Sequence, residues 1–432
     1  MLQTSTPMTH AIGFLGIGVI LLIGFALSTN RRRIDPRTIL VGLAMQYALA
    51  YLLLRFPPVV AVFDGLATVV TRVISFADAG SFFIFGKATD AGGPWGFIFA
   101  VKVLPIIIFF ASLMAVLYHL GIMQRAVAVL AWVLRRTLHI SGAEALSSAA
   151  NIFVGQTEAP LTVKPFIANM TRSQIMTIMV GGFASIAGSV MAAYIVIVGG
   201  EDETTRIMVA KHFMTASVMS APASIVMAKL MLPETEPVPE ESLTALDSMA
   251  STNVNVIDAA AEGATDGLRL ALNVASMLIA FVALLAILNY PLAALSEIGP
   301  IAAWRLEHGL PVFTLQNLLG YLFTPLAWCL GVGTDAHTVG TLMGQQIIAT
   351  EFVAYLDLAE AIKDGSISPR GAQIATFALC GFANFPSIAI QIGGLSAMAP
   401  SRRSDFATIG LRAMTAGALA CWMTGAVAGT FL

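Results

Sequence analysis

Residues 10–28 read HAIGFLGIGVILLIGFALS, nineteen residues without a charged side chain. In lipid no water is present to bond backbone amides and carbonyls, so only helices or closed barrels span it. About 20 predominantly apolar residues make one helical crossing. The basic cluster Arg31, Arg32, Arg33 and Arg37 follows this run. A cleaved signal peptide would have the opposite order, so the run is read as a membrane helix. The rest of the chain is similar, 57% hydrophobic and only 11% charged, against roughly a quarter charged in soluble domains. The expected fold class is an all-α polytopic membrane protein. A net charge of −2 argues against nucleic acid as a partner. Cys329, Cys380 and Cys421 have no CxxC spacing, which implies neither a disulfide framework nor a zinc site.

Eight transmembrane helices are expected, over residues 10–28, 39–56, 97–120, 174–198, 211–232, 267–290, 371–392 and 406–432. Positive charge favours the cytoplasmic side, and the arginines after the first helix put that loop inside. Counting spans then puts Arg172, Arg402 and Arg403 inside and the acidic turn Glu201-Asp202-Glu203 outside, with both termini outward. Arg72, Lys87 and Arg305 run mildly against the rule. Residues 59–77 and 123–138 carry charges at intervals that leave one apolar face, as interfacial helices do. Residues 313–330 read as a third such helix or a ninth span. The polar, Pro-containing stretch 233–252 reads as a cytoplasmic linker.

Two stretches resemble each other: GGFASIAGSV from Gly181 and CGFANFPSIA from Cys380. Each sets a polar residue, Ser185 or Asn384, after Gly-Phe-Ala, and each follows a glutamate in an apolar segment. Glu158 precedes Gly182 by 24 residues and Glu351 precedes Gly381 by 30. This is the pattern of an internal repeat. Secondary transporters contain such repeats, with helices broken where they line a cavity. The segments around the glutamates are too short for paired full spans. Two re-entrant hairpins meeting two broken helices would build one central site.

A carboxylate in a membrane costs at least about 2.5 kcal/mol on insertion scales, so Glu158 and Glu351 are functional candidates by default. The plainer reading pairs them with Lys102, Lys164 or a helix N-terminus. Gln156, Thr157, Asn384 and Ser387 are neutral, and no Lys or Arg lies in either motif. A charged phosphate or carboxylate ligand would call for a cationic fork, so a neutral, hydroxyl-rich ligand is expected, a nucleoside or a sugar. Phe382 offers a ring face. Asn151 and Ser185 supply neutral oxygens suited to a monovalent coupling cation rather than Ca²⁺, although Asn151 serves equally as a helix cap. Enzyme chemistry finds no support: there is no HExxH, and the six histidines show no partner pattern.

NIFVGQTEAP, SIAGSV, EFVAY, and CGFAN followed by SIAI closely resemble the concentrative nucleoside transporter family, most of all bacterial sodium-coupled members. NVIDAA at 255–260 and LNVASMLIAF at 272–281 extend the resemblance over nearly the whole chain. The resemblance implies that Gln156, Thr157 and Glu158 contact the nucleobase and that Val190 packs on it. It implies that Glu351, Asn384 and Ser387 hold the ribose, with Phe382 lining the pocket. Sodium would be bound by the side chains of Asn151 and Ser185 and the carbonyls of Val154 and Ile186. It further implies a homotrimer in the bacterial inner membrane, importing nucleosides such as uridine with Na⁺ by elevator-type motion and using no cofactor. Proton coupling is the alternative. The domain boundaries expected are a scaffold over 1–121, a first transport repeat over 122–232, a linker over 233–265, a scaffold helix over 266–300 and a second repeat over 301–432. The chain departs from the family in Thr350, where Asn is usual, and Pro386, where a small polar residue is common. The proline is expected to reshape its helix break.

Overall fold

The structure, a computed structural model, describes residues 7–90, 94, 98–239 and 253–432. Residues 240–252 of the expected linker lie outside the described residues. The described chain is helical: α1 (Pro7–Ala26), α2 (Pro36–Leu54), α3 (Pro57–Phe85), the single turn α4 (Phe99–Lys102), α5 (Leu104–His119) and α6 (Ile122–Leu138). Next come α7 (Gly142–Ala150), the short α8 (Lys164–Ile167), α9 (Arg172–Phe183), α10 (Gly188–Gly199) and α11 (Glu203–Met231). Beyond the linker lie α12 (Val256–Ser296), α13 (Gly299–Glu307), α14 (Leu315–Cys329), α15 (Ala336–Ile348), α16 (Glu351–Lys363), α17 (Pro369–Ala378), α18 (Phe385–Met398) and α19 (Arg403–Gly429).

Side-chain caps start these helices where the sequence supplies them. Ser141 with Glu144, and Thr171 with Gln174, form capping boxes for α7 and α9. Asp35, Asp202, Asn255 and Ser368 cap α2, α11, α12 and α17.

Seven helical stretches among the described residues are long and apolar enough to cross a membrane. Six overlap expected spans. The seventh, Pro57–Thr89, covers the segment expected to be interfacial over 59–77, and α3 is longer than its charges suggested. Asp64 and Asp78 are taken up in ion pairs with Lys211 (2.7 Å) and Lys102 (3.1 Å), so they do not end the helix. The first expected span overlaps α1, whose 20 residues Pro7–Ala26 include the apolar stretch Ala11–Ala26. The one expected over 371–392 is split into α17 and α18. At 15 residues α14 is too short to cross, and it packs along α15.

The core lies among α9, α10, α11 and α19. Nearly all of Arg172–Gly199 is buried, whereas only six of the 41 residues of Val256–Ser296 are. Helix α12 packs chiefly along α5. There a Cβ on Gly263 would stand 2.6 Å from the Ala115 Cβ, and one on Gly267 2.7 Å from the Ile108 Cα. Small residues of this kind let two membrane helices approach backbone to backbone. Helix α2 packs mainly on α11, and α1 on α19, α14 and α11.

Candidate functional site

Two helical turn-backs and two helix breaks meet at the centre. In the first turn-back α7 ends at Ala150, and residues 151–158 carry the chain to a 3-10 turn, Ala159–Val163. In the second, only Ala349 and Thr350 separate α15 from α16. Thr350 caps α16, its hydroxyl accepting from the Val353 N–H at 3.3 Å, so the departure from Asn keeps a good cap. Glu351 follows as the first helical residue, where the helix dipole favours its negative charge. The plainer expectation, a carboxylate on a helix N-terminus, is thus met for Glu351 alongside its place in the site.

The breaks lie between α9 and α10 and between α17 and α18. Asn384 is the N-cap of α18, accepting from the Ser387 N–H at 2.9 Å. Pro386 sits in the first turn of that helix. Its missing N–H would have no intrahelical acceptor there, so the proline fits the helix start, and the reshaping expected of it has no structural cause.

All eight residues expected to bind substrate line one cavity of about 490 Å³: Gln156, Thr157, Glu158, Val190, Glu351, Phe382, Asn384 and Ser387. Hydrogen bonds tie the two repeats across it. The Gln156 Nε2 donates to the Ser387 Oγ at 3.2 Å. Gln391 donates to the Gln156 Oε1 and to the Met179 carbonyl, both at 3.1 Å. Glu351 is buried and accepts from the Tyr194 hydroxyl and the Asn384 Nδ2, each at 2.7 Å. Glu158 is different: its side chain is open to the cavity, and its polar neighbours are the Thr157 side chain and the Gly155 backbone. Lys102 is committed to Asp78, and neither glutamate joins an ion pair among the described residues.

Sequence reasoning missed four contributors. Tyr194 lies one turn beyond Val190 on the same helix face, a signal the i,i+4 spacing offered. Asn273 and Ser276 are the polar residues of the apolar helix α12 that line the cavity. Gln391 supports Gln156 from the last part of the second repeat, and no local pattern marked it.

Behind the cavity, Asn151 and Ser185 are both buried. The Asn151 Nδ2 donates to the Ser147 carbonyl at 3.1 Å, while its Oδ1 is buried without a hydrogen-bond partner. Ser185 donates to the Gly181 carbonyl at 2.8 Å, which leaves its oxygen lone pairs able to accept. An orphaned buried acceptor beside unwound backbone suits a cation held by neutral oxygens. Among the described residues no group of three or more His, Cys, Asp or Glu could hold a metal ion. The neutral oxygens of Asn151 and Ser185 suit a monovalent cation such as sodium better than a multivalent ion, which typically takes carboxylates.

A family model for the C-terminus of Na⁺-dependent nucleoside transporters matches residues 212–429. Models for the N-terminus of these transporters and for a nucleoside-recognition gate match 15–88 and 100–201. An uncharacterised transporter of Haemophilus influenzae is 47% identical over 98% of both chains. The mouse sodium/nucleoside cotransporter 1 is 37% identical over 99% of this chain and 65% of its own. The solved structure of CNTnw in an inward-facing substrate-bound state is 40% identical, with a TM-score of 0.87 over 98% of both chains. A variant of CNTnw in an outward-facing state gives 0.88 at 39% identity.

Proposed function

The chain belongs to the Na⁺-dependent nucleoside transporter family, and from that premise we propose that it is a sodium-coupled importer of nucleosides such as uridine, working as a homotrimer in a bacterial inner membrane. The observation that carries this reading is the convergence of both repeats on one cavity, with the unsatisfied Asn151 oxygen behind it. Glu351, fixed by Tyr194 and Asn384, is set to accept from ribose hydroxyls, and Gln156, Thr157 and Glu158 offer donors and acceptors to a base edge. Val190 and Phe382 supply its apolar walls. Na⁺ sits against Asn151, Ser185 and the carbonyls of Val154 and Ile186.

The cavity is walled on one side by Leu270, Asn273, Val274, Ser276, Met277 and Leu278 of α12. An elevator movement would slide the two repeats along the α5–α12 pair and carry the cavity with them. Because α1 and α2 pack on α11 and α19, we assign them to the moving body, although the boundary expected for the scaffold took in residues 1–121. Helix α3 is assigned to the outer interface. Its ion pairs to Lys211 and Lys102 are about 21 Å apart along its axis, and both partners lie near the same ends of α11 and α5. A crossing helix would move away from that side over such a distance.

The test is uptake of labelled uridine into proteoliposomes under an inward Na⁺ or H⁺ gradient at fixed membrane potential. Uptake with Na⁺ alone, lost in Asn151→Ala with Ser185→Ala, supports the reading. Uptake with H⁺ alone transfers coupling to a titrating carboxylate.

A further inference from the structure

We infer that Gln346 takes, in the second repeat, the place a cation takes in the first, so that each nucleoside crosses with a single sodium ion. This rests on the sodium-coupled reading above. Aligning the two Gly-Phe-Ala motifs sets Gly181 opposite Cys380. At the end of α7 the Asn151 amide lies against Gly181, whose added Cβ would stand 3.0 Å from the Asn151 Nδ2. Near the end of α15 the Gln346 amide lies against the two residues flanking Cys380. Its Nε2 donates to the Leu379 carbonyl at 3.2 Å and to the Gly381 carbonyl at 3.1 Å. Both repeats thus bring a side-chain amide from the first helix of a turn-back to the same point of a broken helix.

The two amides differ in what they leave unmet. The Asn151 Oδ1 is buried and has no hydrogen-bond partner. The Gln346 Oε1 accepts from the Trp422 indole N–H at 3.3 Å. An indole N–H only donates, so it fixes the amide with its NH₂ toward the unwound carbonyls. Gln346 is fully buried, and both its amide atoms are engaged. Unwound carbonyls in a membrane protein need a donor or a cation. In the first repeat the orphaned oxygen needs a mobile cation; in the second the carbonyls have a permanent donor, and no ion is required.

The experiment measures parallel ²²Na⁺ and [³H]nucleoside uptake into proteoliposomes, with uridine and adenosine as probes, in the wild type, Gln346→Glu and Gln346→Lys. The wild type is expected to move one Na⁺ per nucleoside, with a Hill coefficient of one for Na⁺. A wild-type ratio of two overturns the role of Gln346 and leaves the transport reading standing. No Na⁺-driven uptake of either probe overturns the transport reading itself. Gln346→Glu removes the donor and adds a carboxylate, and its ratio and Hill coefficient are expected to rise toward two. Values of one in a folded Glu variant overturn the proposal. Should that variant fail to fold, Gln346→Lys decides. Its ammonium donates to the same carbonyls, and it is expected to keep the wild-type ratio and sodium dependence. A folded Lys variant whose sodium dependence becomes steeper also overturns it.

Discussion

The backbone N–H of Phe382 donates to the carbonyl of Ser185 at 3.3 Å. One residue lines the proposed nucleoside cavity, and the other belongs to the proposed sodium shell. The two helix breaks are therefore bonded to each other directly. For the sodium and nucleoside sites proposed above, the expected consequence is reciprocal coupling: Na⁺ should tighten nucleoside binding by the same factor by which nucleoside tightens Na⁺. Calorimetric titration in detergent, with and without Na⁺, should give a factor of roughly 5–150. Ser185→Ala should reduce it towards one. Unequal factors in the two directions would exclude a simple two-ligand equilibrium.

The two carboxylates should respond differently to neutralisation. Glu351 accepts from two donors in a buried place. In Glu351→Gln one of those donors faces an NH₂ group instead of an acceptor. Leaving a buried polar group unpaired costs about 1–3 kcal/mol, so thermal unfolding of the ligand-free protein should move down. Glu158 is open to the cavity, and Glu158→Gln should leave that transition in place while weakening nucleoside binding. Equal thermal shifts in the two variants would refute this division of labour.

How far the sequence disclosed this site follows from the kind of contact involved. Glu158, Glu351 and the Gly-Phe-Ala breaks were legible because charge and small polar residues are conspicuous in an apolar chain. The orphaned Asn151 oxygen was not, since a capping Asn and a ligating Asn have the same local sequence. Gln391 and Gln346 act across 235 and 76 residues of chain, on Gln156 and with Trp422, and no local periodicity reports such pairs. The extent of α3 was misjudged for a related reason: the partners of Asp64 and Asp78 lie on other helices. Pro386 looked disruptive only while the start of α18 was unknown.

A buried ion pair holds the base of the first turn-back. The Lys229 Nζ lies 2.6 Å from the Glu144 Oε1, which also accepts from the Thr177 hydroxyl at 2.8 Å. Lys229 donates further to the Ser173 hydroxyl at 3.0 Å. Removing one partner of a buried pair typically costs about 3–5 kcal/mol, because the other charge is left unpaired. Lys229→Met should therefore destabilise the protein strongly. The double variant Lys229→Met with Glu144→Gln should recover part of the loss. Chemical denaturation in detergent micelles measures both. Additive losses in the double variant would show that the two groups do not act as a pair.

The close packing of α5 on α12 gives the last prediction. Gly263 and Gly267 are four residues apart, on one face of α12, against Ala111, Ala115 and Ile108 of α5. A Cβ on either would meet atoms of α5 at 2.6–2.8 Å, closer than van der Waals contact allows, and most of those atoms are backbone or Cβ atoms that cannot swing away. Gly267→Val must push the two helices apart. If this pair is the fixed rail of the transporter, separation damages movement more than binding. Nucleoside affinity at equilibrium should then fall much less than the maximal uptake rate, because the eight cavity residues of the repeats are untouched and only the α12 wall shifts. Overpacking in a well-packed region typically costs about 1–3 kcal/mol, so the variant should still fold. Paired measurement of binding in detergent and initial uptake rate in proteoliposomes separates the two effects. A proportional loss of affinity and rate would mean that the α5–α12 pair shapes the site itself, and the rail would have to be sought elsewhere.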